Sequence, residues 1–489
     1  MRKRAAIWRI ILRRRSMRRI NLRRTIERQK SVCRIIRLYK DMRWRIMRRM
    51  IPPLAMVGVL LAAGGCGDVP VSEGEAIERL LTAPDPGSRT GTGEAEREKT
   101  VLRLWSFHQS KEYEFWKRLA QRYRDVNPDV EVQVEYVSSD IYFNSSRLLT
   151  FFASGHGPDI FFVSPGTIAK FAEAQVLQPL SDRFSEEIRN DFYPSALEAV
   201  MIDDDIVAIP IETELLALYY NKEKFADAGL EPPATWDDLL NAARRLNSEA
   251  ASSLTMETFA SVYQTFTWLP FLWQTGTDFM AEDGSYRPVD PDRALRMFGF
   301  FRQMLDEDLI NRHPSRPTND IGILADGETV MQVSGSWSIA MLETVYRDKA
   351  IGVVPLPHPR EGEPLTIAGG WKIAANRFSE HAREAADFIM WAFAGDPEIP
   401  IEWCNEVKFA YSPRISVMEK AGGFYLKGMR EVFTTRIFGT ERQEPRFPQE
   451  LNAIFSDALL QLIHTDRPAA DIVDEMNARV LSFLSSIEK

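Results

Sequence analysis

The chain has 489 residues, 45% of them hydrophobic and 27% charged, an ordinary soluble-protein balance with room for two or three domains. Its formal charge of −8 hides an asymmetry: residues 1–50 carry 20 Lys and Arg against two acids, which leaves 41 basic and 67 acidic residues in the remainder. An acidic body repels phosphate backbones and argues against nucleic acid as a partner. Three widely spaced cysteines, Cys33, Cys66 and Cys404, with no CxxC pair or histidine cluster, argue against a disulfide framework and against a metal site.

In chain order, Met47-Arg48-Arg49-Met50 precedes an uncharged run over 51–65 and then Cys66. This is the layout of a signal peptide, with a basic start, an apolar centre and small residues at the cleavage site. The run is shorter than the roughly 20 apolar residues that span a bilayer. Leu60-Leu61-Ala62-Ala63-Gly64-Gly65-Cys66 resembles a bacterial lipobox, which implies lipidation of Cys66, although Ala63 stands where that pattern prefers Leu. The alternative is a plain signal peptide with an incidental Cys. Residues 1–46 are read as an Arg-rich extension upstream of a true start at Met42 or Met47, and 47–65 as the signal peptide. Residues 66–99 then form the lipidated Cys and a flexible tether, rich in turn residues such as Pro84-Asp85-Pro86-Gly87-Ser88.

The folded body opens on a strand-like run over 101–107, and Phe115, Trp116, Leu119, Tyr123 and Val126 follow at helical spacing. Residues 130–136 alternate strictly between apolar or aromatic and polar, and 160–163 form a short buried strand after a second helical stretch. The β-α-β-α-β order predicts an α/β fold with a parallel, helix-covered sheet. Ligands of open α/β sheets bind beyond the carboxyl ends of the strands, which places Ser106, His108, Asp140, Ser164 and Pro165 on one rim. Near the end of the chain, helical spacing predicts helices over 448–465 and 469–487. Cys404 reads as a small buried apolar residue, and Trp116 and Trp391 as core residues on amphipathic helices.

Several segments in order along the chain resemble the sugar-type family of bacterial extracellular solute-binding proteins, the family that includes maltose-binding protein. Gly157-Pro158-Asp159-Ile160 is followed by Ile209-Pro210-Ile211-Glu212-Thr213-Glu214 with Leu218-Tyr219-Tyr220-Asn221-Lys222, and by Pro233-Ala234-Thr235-Trp236-Asp237. Then come the aromatic stretch Phe266-Thr267-Trp268 to Trp273 and Gly276, Gly327-Glu328-Thr329-Val330-Met331 with Ser334-Gly335-Ser336-Trp337, and Gly369-Gly370-Trp371-Lys372-Ile373. The resemblance implies a two-lobed periplasmic-binding-protein (type II) fold with a crossover hinge. The N-lobe would be 100–210 plus 371–412 and the C-lobe 211–370 plus 413–489. It further implies a monomeric extracytoplasmic receptor that needs no cofactor. Such a receptor captures a mono- or oligosaccharide between its lobes and delivers it to the membrane permease subunits of an ABC transporter.

A sugar site needs rings to cover apolar C–H faces and planar polar groups to bond hydroxyls. Trp337 matches the position of a stacking Trp in maltose-binding protein, with a core Trp beside a glycine turn as the alternative. Trp371, after Gly369-Gly370, divides between cleft and hinge packing, and of Trp268 and Trp273 one is expected to face the cleft and the other the core. Glu214 matches the crossover acid of the family, with Glu212 two residues earlier on the same strand face. Gly370, Ser106, His108, Ser164, Asp140 and Arg414 complete the candidates, with a solvated turn acid the alternative for Asp140 and a structural ion pair that for Arg414. Val163 stands where maltose-binding protein has a stacking Trp, which argues against a long maltodextrin. Glu212 and Glu214 are joined by no second, independently placed acid motif, and there is no GxSxG, P-loop, HExxH or Cys-His signature, so no enzyme is expected. The alternatives are a receptor for a non-sugar solute, such as a polyamine or polyol phosphate, and a glycan-sensing lipoprotein without an importer.

Overall fold

The computed structural model describes residues 99–142, 145–248 and 251–487. The Arg-rich extension, the signal segment, Cys66 and the tether up to residue 98 lie outside them. Strand β1 (Thr100–Ser106) leads into helix α1 (Ser110–Val126), which buries Phe115, Trp116, Leu119 and Tyr123 as one stripe. Val126 is the exception, exposed on the last turn. The chain returns through β2 (Val130–Tyr136), parallel to β1 from Thr100↔Val130 to Ser106↔Tyr136. Strand β3 (Ile160–Val163) has all four side chains buried, as a central strand covered on both faces must. Ser164 then caps α2 (Pro165–Glu173), with Pro165 in the first turn, where the missing N–H costs nothing.

A short hairpin, β4 (Met201–Ile202) and β5 (Asp205–Ile206), precedes β6 (Ile209–Pro210). Beyond a crossing segment the chain builds a second sheet from β7 (Leu216–Asn221), β8 (Ser252–Thr255), β9 (Thr329–Gly335) and β10 (Ile351–Val354), in the order β10-β7-β9-β8. After β11 (Thr366–Ala368), strand β12 (Lys372–Ala375) returns to the first sheet, whose order is β2-β1-β3-β12-β6. The predicted parallel trio is present. Its extension is antiparallel, because β12 arrives from the other lobe and pairs antiparallel with both β3 and β6. Strand β13 (Glu441–Gln443) pairs with β11.

The second lobe is covered by α3 (Trp236–Leu246), α4 (Val262–Gln274) and α5 (Pro291–Asp306) and by the terminal helices α7 (Gln449–His464) and α8 (Ala469–Ile487). Trp268, Phe271, Phe301, Met331, Phe455 and Leu459 share its core. In the first lobe, α6 (Ala382–Phe393) packs Phe388 and Trp391 against Tyr123 of α1. Three chain crossings join the lobes side by side: Thr213 bridges to Tyr411, and Leu215 to Ala368. No helix among the described residues is long and apolar enough to cross a membrane.

Candidate ligand cleft

The crossings floor a cleft that is partly open to solvent. Trp337, Phe266 and Tyr263 line it from the second lobe, Phe107 and Ser164 from the first. Glu212, Glu214, Gly370, Trp371 and Lys408 line it from the crossings, and Asn319 and Glu444 complete it.

Each aromatic is held by its neighbourhood. Strand β9 ends at Gly335, and the Trp337 ring lies against that glycine so closely that a Cβ there would collide with it. The Trp337 indole Nε1 donates to Asn319 O at 3.2 Å, and Tyr263 meets the ring edge-on at 5.5 Å. Trp371 follows Gly370, whose φ of +99° is open to glycine and strained for other residues. A Cβ on Gly370 would stand 2.6 Å from Glu212 O, so glycine also lets the two crossings pass in contact. The Trp371 ring then packs 4.6 Å from Phe107.

The two crossover acids differ. Glu212 is fully buried with one hydrogen bond to each oxygen: Oε1 accepts from Trp371 N at 3.2 Å and Oε2 from Trp403 Nε1 at 2.9 Å. Glu214 accepts from Ser336 Oγ through Oε2, but its buried Oε1 has no hydrogen-bond partner among the described residues. Lys408 Nζ stands 3.9 Å from that oxygen and 3.4 Å from Glu112 Oε1. Burial pushes the Glu214 carboxyl up to about 8, against the pull of Lys408. Burial alone would lower the Lys408 ammonium; Glu112, Glu212 and Glu214 outweigh it and hold it well above its ordinary value. Lys408 ends a π-helical turn, Glu402–Lys408, and the left-handed Phe409, at φ 58°, swings the chain into the last crossing. Such turns shift side chains off the α-helical register and recur at functional sites.

Of the sequence candidates, Trp337, Trp371, Glu212, Glu214, Ser164 and Gly370 come together in the cleft. Others do not. Ser106 and His108 turn into the core beneath it, where Ser106 Oγ meets His108 Nδ1 at 3.0 Å. Burial, reinforced by Lys408, lowers the His108 pKa and keeps the ring neutral. The expected division between Trp268 and Trp273 fails, since both are buried. Trp268 is on the opposite face of α4 from Phe266 and donates to Glu257 O at 2.6 Å. Trp273 shares the Phe266 face but lies two turns on, roughly 10 Å further along the axis, under the guanidinium of Arg442. Tyr263 and Phe266 are the rings α4 brings to the cleft.

Arg414 is the structural ion pair. Its Nε donates to Asp191 Oδ2 at 2.7 Å, and its Nη1 to Gly395 O at 2.8 Å and Phe393 O at 3.3 Å. The side chain of Asp140 lies outside the described residues. Sequence reasoning missed Phe107, Tyr263, Phe266, Asn319, Lys408 and Glu444. Only Phe266 had a signal, as the first ring of the quoted aromatic stretch. Among the described residues no group of His, Cys, Asp and Glu could hold a metal ion, and Cys404 is fully buried.

The sequence profile of the bacterial extracellular solute-binding protein family matches residues 108–396. A maltotriose-binding protein of Pyrococcus abyssi is 27% identical over 319 residues, 63% of this chain and 65% of that protein, so the chain spans less than two thirds of that relative. The GacH receptor of Streptomyces glaucescens, solved unliganded and with acarbose, superposes with a TM-score of 0.68 at 18% identity, over 79% of this chain and 99% of that one. A Thermus thermophilus maltotriose-binding protein gives 0.66 at 18%, over 78% and 100%. The structural likenesses establish the two-lobed fold.

Proposed function

Because this chain belongs to the bacterial extracellular solute-binding protein family, we propose that it is an extracytoplasmic receptor that closes on a mono- or oligosaccharide and delivers it to an ABC transporter permease. One observation carries the reading: aromatic rings on both walls of one cleft, Trp337, Phe266 and Tyr263 facing Phe107 and Trp371, above a polar floor of Glu212, Glu214 and Lys408. Rings cover the C–H faces of a pyranose, and carboxylates and an ammonium bond its hydroxyls. The binding of maltotriose and of acarbose by the relatives supports the same class.

In this reading the N-lobe is 100–210 plus 371–412, the C-lobe is 211–370 plus 413–489, and the crossings are the hinge. The receptor acts as a monomer, is not an enzyme, and is tethered to the membrane through Cys66. Cys66→Ser should release it into the soluble fraction, and unchanged partitioning would count against the anchor.

Three acidic side chains against one ammonium in the cleft lining, two of which a bound cation would help to ionise, favour a second reading, a cationic solute such as a polyamine. Calorimetric titration with maltose, maltotriose, mannobiose and spermidine separates the two. The sugar reading expects at least one saccharide bound with micromolar or tighter Kd. Binding of spermidine with no heat from any saccharide would overturn it.

A further inference from the structure

Glu444 is one of the cleft residues that no motif pointed to, and it joins the two lobes. Its backbone is part of the second lobe: Glu444 N donates to Ala368 O at 2.9 Å, and Phe447, three residues on, is in that lobe's core. Its carboxyl reaches the first lobe, where Oε1 accepts from Gly166 N at 3.1 Å. Gly166 is the second residue of the nine-residue helix α2, where N–H groups lack intrahelical partners and the helix dipole favours an acid.

Two glycines make the passage. A Cβ on Gly166 would collide with Glu444 Oε1, and one on Gly369 would stand 3.2 Å from Oε2. Glu444 is 8% exposed, yet its Oε2 accepts no hydrogen bond among the described residues while the residue lines the cleft. A second tie between the lobes, from Arg446 Nη1 to Met201 O, lies two residues away.

We propose that Glu444 is a closure latch that also contacts the solute: Oε1 fastens the C-lobe to helix α2 of the N-lobe, and Oε2 is left to accept a hydroxyl of the bound sugar. The second half rests on the sugar-receptor reading; the first half needs no ligand. Lys372 of β12 is the cation that acts on Glu444, and Lys372 also feels Glu212 and Glu214 of the crossing. Burial pushes Glu444 up to about 7 against the pull of Lys372, so the group works close to neutrality, and a neutral amide keeps an acceptor for Gly166.

The test uses the full chain with spin labels on two exposed positions, one per lobe, as Lys117→Cys and Asp237→Cys. The distance between them is measured first without ligand. The latch predicts a closed population in the parent and in Glu444→Gln. In Glu444→Ala, and independently in Gly166→Ala, the closed-to-open ratio should fall at least tenfold. With maltotriose as probe, Glu444→Gln should bind within about threefold of the parent, and the other two at least tenfold more weakly. Parent-like distances in both Glu444→Ala and Gly166→Ala would overturn the latch. Parent-like maltotriose affinity in Glu444→Ala would overturn the solute contact. If the parent binds no saccharide, the receptor reading and the contact both fall, while the ligand-free distances still decide the latch.

Discussion

Helix α4 and the chain crossings present their large rings in opposite ways. On α4, Trp268 and Trp273 point into packed core, fixed by helical periodicity and by one indole hydrogen bond to Glu257 O. At the strand end and the crossing, Trp337 and Trp371 stay half-buried, each just after a glycine against which the chain folds back. The difference teaches that residue type does not decide which tryptophan meets a ligand. A ring on a helix is committed to whichever face the helix buries. A ring after a glycine at the end of a strand can be held by its edges while part of its surface stays open.

The largest test of that contrast is Trp268→Ala. A fully buried indole cut to alanine should cost about 3–5 kcal/mol of folding stability, read as a lowered melting temperature. The folded fraction should bind its solute almost normally; a large loss of affinity would erase the contrast. Next in size, Trp337→Ala should lose about 2 kcal/mol of binding, a roughly 30-fold weaker Kd by calorimetry. Its melting temperature should fall less than that of Trp268→Ala. Trp371→Ala should behave similarly, and normal affinity with a lowered melting point would return either ring to the structural class.

The last test is a pH dependence of binding, which sets the floor of the cleft against its walls. Inside the cleft, burial pushes Glu214 up to about 8 and Glu444 up to about 7. The closed form therefore binds protons that an open, hydrated cleft releases, so closure is favoured most at and below the ordinary carboxylate range. That advantage is lost as pH rises through 7 and 8. Lys372, pushed down to about 8 by burial, has the opposite sign, but only above pH 8. Between pH 6 and 8 affinity should decline, by no more than about tenfold per unit for each group. Glu214→Gln should flatten part of the slope, and a pH-independent Kd would show that these carboxyls keep their protonation state on closing.

Much of this was legible in the chain. The order of strands and helices announced the first sheet, and glycine-flanked Trp337 and Trp371 and the paired Glu212 and Glu214 announced the cleft. The rest was hidden for physical reasons. Lys408 is aimed by a π-helical turn, whose register no 3.6-residue pattern reveals. Glu444 matters through a contact with Gly166, 278 residues away. Arg414 reads as a contact because it follows a crossing, yet its bonds go to Asp191 and to the chain after α6.

Strand β12 carries a consequence for how the molecule comes together. It lies between β3 and β6, with Ile373 opposite both Phe162 and Ile209. A nascent chain that ends before residue 372 leaves those strands with no partner between them, however long it waits. The first sheet therefore cannot close until the strands of the second have been made. Order of synthesis and order of completion are reversed, and such distant pairing is slow because chain entropy must be lost before the contact forms.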